Sequence, residues 1–390
     1  VKIMNVPKLR FKEFTDEWKN IKLQKIISIY KEQSTIENQY PMLTSSKQGL
    51  VLQKDYYSNN ARITNRSNIG YNVLPYGYIT YRNRSDTGFF TFNINLKLKK
   101  GLISYFYPVF SLKNSNEYFL VNLLNTKYQF KMYAISEGTS QKVLSIANLK
   151  NLKVLYPSLE EQNKIANFLT TVDKKITNLE NTITSLENQK KGLLQQIFSQ
   201  KLRFKDKNGN NYPNWEKKKL EDISNITMGQ SPDSDFVNTE KIGTPFLQGN
   251  AEFTNKYPIE KYWCTKPQKI ANPTDILLSV RAPVGAINIA NKKFCIGRGL
   301  SAISFNCNKL FGKYNLEFNL FQLIKKSQGS TFSSINKKDI SEVILFIPCL
   351  EEQTKIADFL SAFDRKLENQ KAQLEHWQQI KKGLLQQMFV

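Results

Sequence analysis

Histidine is almost missing from this chain: His376 is the single one in 390 residues. Without a second imidazole no His pair can share a metal, and His376, beside Trp377 in a helical pattern, reads as a helix side chain. Cysteine is scarce as well. Cys264, Cys295, Cys307 and Cys349 show no CxxC spacing, which argues against a cysteine zinc site and for buried thiols in a reducing compartment. No apolar run reaches the ~18 residues of a membrane span. The opening VKIMNVPKLRFKEF has no apolar signal-peptide core. No membrane partner and a cytoplasmic location are therefore expected. The glycine cradles GxGxxG and GxxxxGK[ST] are absent too, which removes the usual nucleotide sites.

Acidic residues are in short supply: 33 against 56 Lys and Arg, a net charge of +23. Such an excess predicts affinity for polyanions and is silent about fold. Hydrophobic residues make up 40%, enough for a folded protein rather than a disordered one, and the length allows two or three domains.

What the chain does have is a repeat. Leu159–Phe198 and Leu350–Phe389 align without a gap, 191 residues apart, and match at 20 of 40 positions. Both open with LEEQxKIAxFL and end with KKGLLQQ(I/M)F. Shorter echoes precede them. KLRF stands at Lys8–Phe11 and Lys201–Phe204, WKNIKL begins at Trp18 and WEKKKL at Trp215. Between these landmarks similarity thins. A repeat of this kind decides architecture first. It divides the chain into a globular part (1–158), a helical spacer (159–198), a second globular part (199–349) and a second spacer (350–390). The charge divides the same way. Residues 1–158 carry 23 basic and 9 acidic side chains, residues 199–349 carry 22 and 13, and each spacer is neutral. The globular parts are thus expected to meet the polyanion and the spacers to meet protein.

In the first spacer Ile165, Leu169, Val172, Ile176, Leu179, Ile183 and Leu186 follow a 4-3 spacing that continues to Leu193 and Ile197. In the second, Ile356, Leu360, Phe363, Leu367, Leu374, Trp377, Leu384 and Met388 do the same. Sustained 4-3 spacing predicts a long helix packed on another. Lys190 and Lys381 interrupt the two seams at matched positions, where polar residues set register. Gly192 and Gly383 stand nearby, either to let helices cross closely or as inheritance of the duplication. Ser158 fits an N-cap, with Glu160 and Glu161 at the positive helix end and Glu161 in the capping-box position. A break near Asp173 and Asp364 would leave a long helix of about 39 Å at ~1.5 Å per residue, close to the ~34–36 Å of one DNA turn.

The globular parts read as short strands with polar turns, as in GYITYRNRS and TDILLSVRAPVGAINIA. Arg suits guanine edges and Asn or Gln adenine edges, though any of them can equally bind phosphate. On residue type and placement the first part offers Asn60, Arg62, Asn65, Arg66, Tyr81, Arg82, Asn83 and Arg84. The second offers Gln230, Gln248, Asn250, Arg281, Arg298, Lys326 and Gln328. No catalytic or metal constellation accompanies them. NPTD (Asn272–Asp275) lacks the second Pro and the aromatic residue of the motif used by amino-methylating enzymes.

The duplicated LEEQxKIAxFL and KKGLLQQ(I/M)F, PxWxxxxL at Pro213–Leu220 and TDILLSVR at Thr274–Arg281 together resemble the specificity subunit of type I restriction-modification systems over essentially the whole chain. The resemblance implies an α+β, pseudo-two-fold molecule: two mixed α/β target recognition domains joined by two long antiparallel, coiled-coil-like helices. It implies a non-catalytic reader of a bipartite double-stranded DNA target, partnered by two methylation subunits and by translocase-nuclease restriction subunits. S-adenosylmethionine, ATP and Mg would belong to those partners, and this chain would hold no cofactor. A methyltransferase with its own recognition domain and a structural coiled-coil protein are the competing readings.

Overall fold

The computed structural model describes residues 6–46, 49–56, 67–254, 257–327 and 334–390. The chain forms two compact units, one of residues 1–180 and 372–390, the other of 181–371. Two α/β domains are joined by two long antiparallel helices, the central helix Leu159–Phe198 and the C-terminal helix Leu350–Gln387. Both are uninterrupted. The central one has 40 residues, about 60 Å at ~1.5 Å each. The expected break near Asp173 and Asp364 is therefore absent; the two aspartates serve as ion-pair partners instead.

In the first unit a four-stranded antiparallel sheet runs Ile27–Tyr30, Val109–Leu112, Ile79–Tyr81, Phe92–Ile94. In chain order these are the first, fourth, second and third strands. The second unit repeats that order with Ser224–Met228, Leu300–Phe305, Ile276–Ser279 and Ile287–Ile289. Each unit also pairs its entering strand with its leaving one, Lys19–Lys22 with Lys153–Tyr156 and Glu216–Lys219 with Ile344–Ile347. The duplication thus reaches into regions where the two halves share little sequence. The second unit adds a five-stranded sheet in which Thr244–Leu247 and Phe294–Ile296 run parallel.

TDILLSVR shows how sequence builds this. Ile276–Ser279 is buried on both faces, as a continuous apolar run in a central strand requires. Side chains alternate across a strand, so Ile276 and Leu278 enter one core while Leu277 enters another, beneath the five-stranded sheet.

Each main core closes on the start of one long helix and the end of the other. In the first unit Ile165, Ala166 and Leu169 pack with Met388 and Phe389, and the Phe389 ring lies 5.3 Å from that of Phe119. In the second, Ile356, Ala357 and Leu360 pack with Ile197 and Phe198. The repeated ending QQ(I/M)F is therefore a hydrophobic plug. The expected seam residues are all buried or half-buried, with Ile165, Leu169, Ile356 and Leu360 at most 1% exposed.

The lysines within the seams form matched ion pairs. Lys381 Nζ lies 2.7 Å from Asp173 in the first unit, and Lys190 Nζ 2.6 Å from Asp364 in the second. Each aspartate also accepts a tyrosine hydroxyl, from Tyr118 and Tyr314 respectively. Burial first, then the neighbouring aspartate, raises both phenols above their ordinary pKa. The glycines play no part in a close crossing. A Cβ at Gly192 would meet nothing within 4 Å, and one at Gly383 only the Gln387 amide nitrogen at 3.9 Å.

Candidate nucleic-acid interface

The helix starts hold each domain to its spacer. Ser158 caps the central helix, its Oγ accepting the Glu161 N–H at 3.3 Å. The expected return bond of a capping box is replaced by a buried ion pair. Glu161, 2% exposed, accepts Arg10 Nε and Nη2 at 2.8 Å each and the Trp18 indole N–H at 3.2 Å. Glu352, 0% exposed, accepts the same two guanidinium bonds from Arg203 at 2.8 Å and Trp215 Nε1 at 3.0 Å. The paired carboxylates raise both guanidinium pKa values further. Gln162 and Gln353 complete the clamp. Each donates to the preceding proline carbonyl and accepts an asparagine N–H, from Asn116 at 3.0 Å and Asn308 at 3.1 Å. The KLRF and tryptophan landmarks were visible in the sequence; their meeting with LEEQ was not, because about 150 residues intervene.

The DNA candidates fall in different settings. Asn60, Arg62, Asn65, Arg66 and Gln328 lie outside the described residues. Tyr81 is a core residue, its hydroxyl donating to the Leu144 carbonyl at 2.9 Å and its pKa raised by burial. Arg82 and Arg84 are exposed and line a cleft of about 580 Å³ with Ser45, Tyr56, Thr87 and Phe89. The Arg84 guanidinium sits 4.9 Å from the Phe106 ring centroid, a contact that restrains it. Between them Asn83 is half-buried, and its Oδ1 has no hydrogen-bond partner among the described residues.

In the second unit Lys326 is engaged by Glu342 at 3.0 Å and Asp339 at 3.6 Å. These partners raise its pKa, the Glu342 hydrogen bond foremost. Arg281 is exposed beside the cis Ala282–Pro283 bond, and Asn250 is half-buried at the start of a short 3-10 turn. Gln230, Gln248 and Arg298, far apart in sequence, meet at one edge. Gln230 N–H donates to the Ile296 carbonyl at 2.9 Å, and both Gln248 and the Arg298 N–H bond to the Ser231 hydroxyl. A serine hydroxyl can donate to or accept from any base edge, so residue type alone did not single out Ser231.

A family model described as the type I restriction modification DNA specificity domain matches residues 15–188 and 212–376, once per repeat. The chain belongs to this family. As a specificity subunit it is non-catalytic, reads DNA and scaffolds a type I restriction-modification complex. Among curated relatives it is similar to the MjaX type I restriction enzyme specificity subunit of Methanocaldococcus jannaschii, 38% identical over 287 residues, 70% of this chain and 67% of that one. The MjaIX specificity subunit of the same organism is 24% identical over 348 residues, 83% and 75% of the two chains. Two solved structures share the fold. The S subunit of a type I restriction-modification system from M. genitalium has a TM-score of 0.64 at 16% identity, covering 99% of both chains. A chain from a study of type I complex assembly and conformational transition has 0.56 at 24%, covering 94% and 96%.

Proposed function

We propose that this specificity subunit reads a bipartite double-stranded DNA target, one half-site through residues 1–158 and the other through 199–349. The helical segments 159–198 and 350–390 set the gap between the half-sites and recruit two methylation subunits and the translocase-nuclease subunits. The observation that carries this reading is the division of charge. The whole excess of +23 lies in the globular parts, and the helical segments are neutral. Phosphate neutralisation supplies most non-specific DNA affinity, so the globular parts are where a duplex would be drawn. The unlike sequences of the two parts, on one repeated topology, favour two different half-sites. Methyl transfer from S-adenosylmethionine and ATP-driven, Mg-dependent cleavage belong to the partners in this reading.

The test is an exchange of residues 20–150 for the matching segment of another specificity subunit, followed by mapping of methylated adenines made by the assembled complex. One half-site should change and the other stay. A change in both half-sites would refute the modular reading.

A further inference from the structure

Three glycine-containing phrases of the second unit come together, one after a strand of the four-stranded sheet and two after strands of the five-stranded sheet: GQS (Gly229–Ser231), QGN (Gln248–Asn250) and GRG (Gly297–Gly299). Their backbones touch. A Cβ at Gly229 would stand 2.1 Å from the Gly297 carbonyl oxygen, and one at Gly299 2.7 Å from that of Gln248. No side chain fits at either place. Gly229 N–H donates to the Leu300 carbonyl at 2.9 Å, and Gly297 N–H to that of Leu247 at 2.8 Å. The result is a backbone platform locked from three directions, with Gln230, Gln248 and Arg298 all exposed upon it.

Two of these side chains are placed to meet a partner. No carboxylate among the described residues pairs with the Arg298 guanidinium, nor with those of Arg82, Arg84 and Arg281, whereas Lys326 is held by two; what sets Arg298 apart is the locked backbone beneath it. Gln248 is exposed, but its carboxamide is not free to swing. The Ser231 hydroxyl stands 3.1 Å from Gln248 Nε2 and 3.3 Å from Oε1, and accepts the Arg298 N–H at 3.3 Å. One hydroxyl therefore ties the Gln248 amide to the turn that carries Arg298. An amide read against adenine must present a donor and an acceptor together, and an Arg against guanine two donors. A restrained amide and an uncommitted guanidinium on a rigid base meet that requirement.

We propose that Gln248 and Arg298 read base edges, adenine and guanine respectively, within the half-site taken by the second unit, and that Ser231 is the positioning residue for Gln248. This rests on the DNA-reading function above and goes beyond it by naming the readers. The test uses the assembled complex of this chain with its methylation subunits and a library of randomised DNA duplexes, sequenced after selection by binding. Gln248→Ala should lower discrimination at one adenine position by about tenfold, and Arg298→Ala should relax one guanine position in the same half-site by a similar factor. Ser231→Ala should weaken the Gln248 position by a few-fold and leave the other half-site untouched. A purely structural serine would instead lower binding to every duplex alike, and that result would overturn its role. Unchanged base preferences in Gln248→Ala and Arg298→Ala, with a wild type that selects two separate half-sites, would overturn this inference alone. A wild type that selects no two-part sequence would overturn the parent reading, and this one with it.

Discussion

Replacing Arg10 by Ala should loosen one unit and spare the other. Arg10 spans both oxygens of Glu161 at 2.8 Å, and the side chains are 13% and 2% exposed. Breaking a buried pair from one side costs roughly 3–5 kcal/mol, because a charge is left without its partner. Two features reduce that here. Glu161 keeps the Trp18 N–H at 3.2 Å, and it lies in the first helical turn, where the dipole favours an anion by ~0.3–1 kcal/mol. The expected loss is about 3 kcal/mol, roughly a hundredfold in the opening equilibrium. A whole-protein melt is the wrong assay, since two units need not unfold together. Hydrogen exchange followed by peptide resolves them. Protection should fall in residues 6–180 and 372–390 and hold in 181–371, and Arg203→Ala should give the reverse. Replacing both partners with apolar residues, Arg10→Met with Glu161→Leu, should recover most of the loss. Equal loosening of both units, or none, would show that the clamp does not hold the domain to its helix.

Three further outcomes follow from the same geometry. Phe389→Ala should cost the first unit roughly 3–5 kcal/mol, since the ring is 2% exposed and packed on Phe119; exchange protection of Glu117–Lys127 reports it, and unaltered protection would refute the plug. Gly192→Ala should stabilise the helix by up to about 1 kcal/mol, because its Cβ meets nothing, and slower exchange around residue 192 is the check; faster exchange would point to an unrecognised backbone need. A heptad inserted into both helices, within 176–190 and its counterpart, should widen the DNA spacer in methylation maps of the assembled complex, and an unchanged spacer would rule out the helices as a ruler.

The sequence by itself determined the two-fold repeat, the long helices and the seams, because these are written in local period and in repetition. Leu169 and Leu360 could be placed on a buried seam from 4-3 spacing alone. Charge counts separated the globular parts from the spacers for a similar reason, since they need no partner to be known. Tertiary structure decided whatever depends on what a side chain meets. Glu161 had the position of a capping-box residue, yet its carboxylate turns to Arg10 and Trp18, brought from 151 and 143 residues away. Tyr81 had the type of a DNA contact but lies in the core, and Lys326 is held by carboxylates that no spacing rule would pair with it. Ser231 had no distinguishing signal: its bonds to Gln248 and to the Arg298 N–H appear only where three strand ends converge. Periodicity reports which face of an element is buried; it carries no record of which distant group waits on the other side.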